Sequence, residues 1–175
     1  FVAKQLPPRI RQGVIDLIVR TKRTQPEDRA PLPEEYATVL EEAFLEIDSK
    51  LVEHSERMSL LKVGGTTAVA TLVTPTHIIS ANVGDSPCVV FDAATGHLLR
   101  ESVNHTPDNA DEAQRVVAKG GDMVIGEDSG DLRLLSRTGH LGITRAFGQV
   151  GFKQGLKREE QVLSGAPQTY IWSRI

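Results

Sequence analysis

The residue with the clearest capacity for chemistry is Asp85, which follows an apolar stretch ending in Val83-Gly84 and precedes Ser86. A carboxylate at the end of a strand is held by the rigid sheet and can act as a hard oxygen ligand for Mg²⁺ or Mn²⁺. The same triplet of Gly84, Asp85 and Ser86 also fits a tight hairpin turn in which Asp85 bonds its own backbone. Composition and spacing alone favour the turn.

Other catalytic chemistries lack the residues that they need. The five histidines form no i, i+4 pair and have no cysteine at ligand spacing, so a zinc site is not indicated. Cys88 has no arginine six residues later, which excludes the phosphate cradle of a cysteine-nucleophile phosphatase. The segment Gly64-Gly65-Thr66-Thr67 lacks the lysine of a phosphate-binding loop and is expected to be the turn that begins a strand.

Composition excludes several classes of protein. A chain that is 39% hydrophobic and 25% charged is typical of a globular domain, and a net charge of -3 offers no case for a nucleic-acid partner. No stretch approaches the roughly 20 apolar residues of a membrane span, and no signal peptide opens the chain. With Cys88 as the only cysteine, we expect an intracellular protein, cytoplasmic or nuclear, without a membrane partner.

Residues 1–58 carry the apolar spacing of helices. In the first helix, Pro7 and Pro8 predict a break, with a second helix beginning near Pro8. A further amphipathic helix is predicted from Pro33 to Met58. These residues form the predicted helical layer.

Residues 63–175 are rich in β-branched residues and glycine, which predicts strands plus one helix at 109–119. Apolar runs predict one antiparallel hairpin from 67–73 and 77–83 and another from 88–92 and 97–103. Because these runs are apolar on both faces, we expect strands that are covered on both sides. The other predicted strands are 123–125, 132–135, 141–146 and 169–172. Helices followed by a strand meander make an α+β order.

The last predicted strand, Thr169 to Trp172, has no hairpin partner after it and is expected to be an unpaired edge. The first helix begins at Phe1 without a capping residue or an initiator methionine. We therefore expect residues 1–175 to be a single, partial domain.

Six short motifs occur in order along the chain. They are Gly65-Thr66-Thr67-Ala68, Ala81-Asn82-Val83-Gly84-Asp85-Ser86, His105-Thr106-Pro107, Glu112 with Arg115-Val116 and Gly120-Gly121, Leu141-Gly142-Ile143-Thr144-Arg145-Ala146-Phe147-Gly148, and Phe152-Lys153. Together they resemble the interior of the metal-dependent type 2C Ser/Thr protein phosphatase family, most clearly over 64–153. The resemblance implies a four-layer α/β/β/α sandwich, two antiparallel sheets flanked by helices, that is incomplete in this chain.

The resemblance also implies an activity, the hydrolysis of phosphoserine or phosphothreonine in a phosphoprotein substrate. In that family two or more divalent ions, Mg or Mn, lower the pKa of a bridging water that attacks phosphorus. By resemblance, Asp85 occupies the position of an additional metal site. Gly84, Ser86, Arg145 and Gly148 are motif residues near it.

The chain departs from the family pattern in ways that bear on activity. No intact catalytic set is present, because the family's other ligand motifs occur nowhere in the 175 residues, and one carboxylate cannot hold two divalent ions. We therefore expect this chain alone to be inactive, with most ligands lying outside it. Four positions differ from the usual Arg, Asp, Ser and Asp of the family: Pro87, Asn104, Thr144 and Gln149. Pro87, Asn104 and Gln149 favour an alternative, a catalytically inactive pseudophosphatase acting as a scaffold or regulatory binding domain. An unrelated α+β binding module is a third interpretation.

Overall fold

Four α-helices, one short 3₁₀ helix at Arg158–Glu160 and ten strands make up the fold in a computed structural model that describes residues 1–24, 29–58, 64–126, 130–136, 139–153 and 155–174. Val63 and Ile175, the limits of the predicted strand region, lie outside the described residues. The helices are α1 Val2–Thr24, α2 Pro33–Arg57, α3 Ala110–Ala118 and α4 Val150–Lys153. The strands are β1 Gly65–Thr66, β2 Ala68–Val73, β3 His77–Val83, β4 Val89–Phe91, β5 Leu98–Glu101, β6 Met123–Ile125, β7 Leu132–Ser136, β8 Gly139–Leu141, β9 Phe147–Gly148 and β10 Gln168–Ser173.

Helix α1 is continuous through Pro7 and Pro8, so the predicted break is wrong. Each proline in a helix costs about 3 kcal/mol, because it removes a backbone donor and crowds the preceding turn. Val2, Leu6 and Ile10 lie on both sides of the prolines and are buried against α2 and the sheet. Burying each of these side chains contributes about 1.5–3 kcal/mol, which offsets the cost of the prolines. No helix within the described residues is long and apolar enough to cross a membrane.

Strand β3 is the centre of a three-stranded antiparallel sheet in the order β10-β3-β2. The predicted hairpin of β2 and β3 is confirmed, with Val69 opposite Asn82. Strand β10 pairs with the other side of β3 and places Gln168 opposite Asn82. The prediction that this last strand is unpaired is therefore wrong, because its partner is a much earlier strand rather than a following one.

Two further strand predictions need correction. The hairpin of β4 and β5 forms as expected, but Phe91 and Leu98 are 55% and 51% exposed, so these strands are not covered on both sides. The predicted strand at 141–146 ends at Leu141. Beyond it, Thr144 N–H donates to the His105 carbonyl and Ala146 N–H donates to the Ser164 carbonyl, so the backbone bonds to loops instead of extending the sheet.

Two hydrophobic cores organise these elements. In the first, α1 and α2 cover the inner face of the β10-β3-β2 sheet, and the rings of Phe44 and Phe147 lie 5.3 Å apart. In the second, Val116 of α3 packs with Leu134 of β7, and Ala146 and Leu163 complete the cluster. The α+β class is confirmed, with helices packed on two separate groups of antiparallel strands.

Candidate functional site

Asp85 lies in the turn that directly follows β3, and its side chain is exposed. The preceding Gly84 has a φ of 103°, and a Cβ there would lie 2.2 Å from Cγ2 of Thr67, so only glycine fits. Beside it, the Ser86 hydroxyl is 2.8 Å from that of Thr67. The turn is thus built from tight contacts, and the carboxylate projects from it.

His105 is fully buried behind this turn. Its backbone N–H donates to the Gly84 carbonyl over 3.0 Å, and its Nδ1 lies 3.1 Å from Gly84 N. Burial lowers the pKa of the imidazole, and the nearby positive charge of Arg145 lowers it further, while Glu112 opposes the shift. The ring is therefore neutral near pH 7 and can act as a hydrogen-bond acceptor for the turn.

Glu112 is the centre of a buried ionic cluster on the first turn of α3. Its carboxylate accepts five hydrogen bonds: Arg115 donates from Nε and Nη2, Arg145 donates from Nε and Nη2, and Thr144 donates from its hydroxyl at 2.6 Å. Burial raises the pKa of this carboxyl, but the bonds from Arg145, Arg115 and Thr144 outweigh burial and lower the pKa to about 2.

Arg145 is bonded to protein groups through all of its guanidinium nitrogens. Nε and Nη2 bind Glu112 at 3.0 and 2.6 Å, and Nη1 donates to the Ala166 carbonyl at 3.2 Å. The Arg145 side chain is only 16% exposed. Its three hydrogen bonds join α3, through Glu112, to the loop at Ala166, so Arg145 holds parts of the framework together.

Gly148 belongs to a second buried cluster, between α2 and α4. It has a φ of 70°, and its N–H donates to Asp48 Oδ1 over 2.9 Å. Lys153 Nζ binds both oxygens of the same carboxylate at 2.8 Å and donates to the Ala146 carbonyl at 2.7 Å. Burial lowers the pKa of Lys153, and Asp48 opposes that shift. This cluster fixes the backbone at the end of β9.

The described residues do not assemble a divalent-metal site by themselves. Among them, no group of three or more His, Cys, Asp or Glu side chains lies close enough together to hold an ion. Asp85 offers one exposed carboxylate, whereas a site for two divalent ions needs several. The expectation that Asp85 is a metal ligand therefore stays a prediction.

In the sequence, Glu112 and Lys153 stand out only as parts of motifs, and Asp48 belongs to no motif. Each is a charged residue within an otherwise apolar pattern. Glu112 is one turn before the buried Val116 of α3, and Asp48 lies one turn after Phe44 on the buried side of α2. A charge on the buried side of a helix requires a partner. The positions of Glu112 and Asp48 on their helices therefore indicate buried ionic contacts.

Comparison with known proteins identifies the chain's family. The model of the protein phosphatase 2C family matches residues 10–174, which is nearly the whole chain. The chain belongs to the protein phosphatase 2C family.

The curated relatives in this family are much longer than the chain. Protein phosphatase 1B of Rattus norvegicus is 30% identical over 142 residues, which is 80% of this chain and 34% of the relative. Protein phosphatase ppm-1.A of Caenorhabditis elegans is 31% identical over 137 residues, 77% of this chain and 26% of the relative. The chain therefore spans about a third or less of these phosphatase 2C relatives.

Solved structures agree on the fold. A serine-threonine phosphatase 2C from Toxoplasma gondii superposes with a TM-score of 0.74 at 17% identity, covering 99% of this chain and 60% of the other. A sex-determining protein of C. elegans gives a TM-score of 0.63 at 24% identity, covering 93% of this chain and 35% of that one. At these identities the similarity shows a shared phosphatase 2C fold.

Proposed function

We propose that this chain is part of a metal-dependent protein phosphatase that hydrolyses phosphoserine and phosphothreonine in protein substrates. The observation that carries the proposal is the family match over residues 10–174. It is supported by relatives that are named protein phosphatases and are about 30% identical over most of this chain. The reaction transfers the phosphoryl group from the side-chain oxygen to water.

We propose further that Asp85 donates one carboxylate to a divalent-cation site, Mg²⁺ or Mn²⁺, whose other ligands come from polypeptide outside these 175 residues. Two features support this role. The Asp85 side chain is exposed on a turn whose backbone is held tightly, and carboxylate oxygen is the ligand type that these ions prefer. The chain also covers only a third of its relatives' length, which leaves room for further ligands elsewhere.

A phosphatase assay tests the activity. The longest natural polypeptide that contains this chain would be incubated with a phosphothreonine peptide and Mn²⁺, and again with excess EDTA. We expect phosphate release that depends on Mn²⁺ and stops in EDTA, and no release from the 175 residues alone. Release that survives EDTA would contradict a metal-dependent enzyme. Release by the 175 residues alone would contradict the location of the missing ligands.

A pair of matched variants tests the role of Asp85. Asp85 and Asp108 are both exposed carboxylates, so Asp108→Asn is the control for Asp85→Asn. We expect Asp85→Asn to raise the half-saturating Mn²⁺ concentration at least about tenfold, since losing even an outer-shell partner of a metal typically costs that much. Asp108→Asn should leave it unchanged. A large loss of stability with an unchanged Mn²⁺ response would show that Asp85 only forms the turn.

The alternative function is a catalytically inactive pseudophosphatase that acts as a scaffold or regulatory binding domain. The observation that favours it is the set of departures from the family pattern at Pro87, Asn104 and Gln149. The phosphatase assay separates the two functions, because a pseudophosphatase would release no phosphate at any Mn²⁺ concentration.

A further inference from the structure

The peptide groups of Gly84, directly before Asp85, are held on both sides by one buried residue. His105 accepts from Gly84 N–H through Nδ1 at 3.1 Å and donates its own backbone N–H to the Gly84 carbonyl at 3.0 Å. Asn82 Nδ2 donates to the same carbonyl at 3.3 Å. The φ of 103° at Gly84 is thus determined by several contacts at once. Since Asp85 follows this carbonyl, these bonds set the direction in which Asp85 leaves the sheet.

The hydrogen-bond partners of the His105 ring select one neutral tautomer. Nδ1 lies 3.1 Å from both the nitrogen and the oxygen of Gly84. The Gly84 oxygen already accepts from His105 N–H and from Asn82, so an unprotonated Nδ1 best serves as the acceptor for Gly84 N–H. The proton then resides on Nε2, which faces Oε1 of Gln168 at 3.2 Å and can donate to it. The opposite tautomer would remove the acceptor from Gly84 N–H.

We propose that His105 is a positioning residue for Asp85: held as the Nε2–H tautomer by Gln168, it fixes the Gly84 peptide and thereby the direction of the Asp85 carboxylate. The consequence for cation binding rests on the proposed function of Asp85. The geometry resembles that of metal-bound histidines, whose second nitrogen is oriented by an outer partner, except that here the ring orients a backbone turn.

The same histidine joins the turn to the buried Glu112 cluster. The His105 carbonyl accepts from Thr144 N–H at 2.9 Å, and the Thr144 hydroxyl donates to Glu112 at 2.6 Å. His105 therefore has its backbone anchored independently of its ring. Because the backbone and the ring of His105 have different partners, replacing the ring alone should alter the Gly84 turn and leave the Glu112 cluster intact.

Three variants test the proposal. His105→Leu removes the ring nitrogens but keeps a buried apolar side chain, whereas His105→Asn retains an amide oxygen close to the place of Nδ1. Gln168→Met keeps the side-chain length and removes the acceptor for Nε2–H. If His105 only fills space, the Gly84 amide should be better protected from exchange in His105→Leu than in His105→Asn. If His105 positions the turn, the Gly84 amide should be better protected in His105→Asn.

Two NMR measurements on the longest natural polypeptide that contains this chain test the proposal. Imidazole ¹⁵N shifts should show an unprotonated Nδ1 in the parent chain and a mixture of tautomers in Gln168→Met. Hydrogen exchange at the Gly84 amide should accelerate about tenfold in His105→Leu, the order expected for a lost hydrogen bond, and stay near the parent rate in His105→Asn. Amides of β7, in the second core, serve as the internal reference for global unfolding.

Each result decides the proposal. An Nδ1–H ring in the parent chain, or unchanged exchange at Gly84 in His105→Leu, overturns it. Equal acceleration at Gly84 and in β7 also overturns it, because His105 would then stabilise the whole domain without a specific effect on the turn. The Mn²⁺ response of the longer polypeptide is a separate arm. If His105→Leu leaves unchanged an Mn²⁺ response that Asp85→Asn alters, His105 does not orient Asp85 and the proposal fails; if neither variant alters the Mn²⁺ response, the ligand role of Asp85 fails instead.

Discussion

Replacing Glu112 by glutamine should remove a large electrostatic contribution to the stability of the fold. The substitution keeps the shape of the side chain but removes the charge that accepts five hydrogen bonds from Arg115, Arg145 and Thr144. The pKa of Glu112 falls from an ordinary 4.5 to about 2. At about 1.4 kcal/mol per pH unit, this corresponds to roughly 3 kcal/mol of stability at neutral pH. The Glu112 side chain is only 5% exposed, so solvent screens little of it.

The stability that ionised Glu112 contributes should depend on pH in a defined direction. Because the folded pKa lies below the unfolded one, the contribution is complete above about pH 4.5 and is lost as the pH falls towards about 2. Urea unfolding of the parent chain and of Glu112→Gln, measured from pH 7 down to pH 3, should therefore show a difference that shrinks below pH 4.5. Glu41→Gln, on the exposed side of α2, is the control and should change little. A difference under about 1 kcal/mol at pH 7, or one independent of pH, would refute this reasoning.

Two further substitutions test the framework by urea unfolding at pH 7. Lys153→Met should lower the free energy of unfolding by about 3–5 kcal/mol, because it leaves the buried Asp48 carboxylate without its cation. The control Lys157→Met, at an exposed position, should lower it little, and equal effects would contradict a buried ion pair. Gly84→Ala should destabilise by more than about 1 kcal/mol, since its Cβ would lie 2.2 Å from a threonine methyl carbon at a φ of 103°. Gly96→Ala, at a φ of 71° with open space around it, should cost less, and a reversed order would show that the turn can relax.

Local apolar spacing predicted the helices and hairpins, and it failed where distant contacts decide the structure. The spacing of α2 and α3 matched the observed helices closely. Pro7 and Pro8 did not break α1, because the burial of its apolar side chains against α2 and the sheet is not visible in local sequence. Strand β10 was predicted to be unpaired, but it pairs with β3. Pairing between strands so far apart along the chain leaves no local pattern.

The same difference between local and distant features applies to the candidate site. The position of Asp85 at the end of an apolar strand was predicted correctly, because a run of β-branched residues and a following glycine are local features. The partners of Arg145 and Gly148 were not predicted. Glu112 lies on a different element from Arg145, and Asp48 lies on a different element from Gly148. Which charges meet is determined by packing, so sequence could indicate only that Glu112 and Asp48 fall on buried helix faces.

The segment from Arg145 to Gly148 lies between the two hydrophobic cores. Ala146 packs in the second core and Phe147, the next residue, packs in the first. The short segment therefore joins the two cores, and each end is tied by a buried carboxylate: Glu112 binds Arg145, and Asp48 binds Gly148. Loosening either end would let the cores shift against each other, and the Gly84 turn, linked to Glu112 through His105 and Thr144, would shift with them. In this stretch the family motif thus specifies contacts that join the two cores and fix the backbone between them.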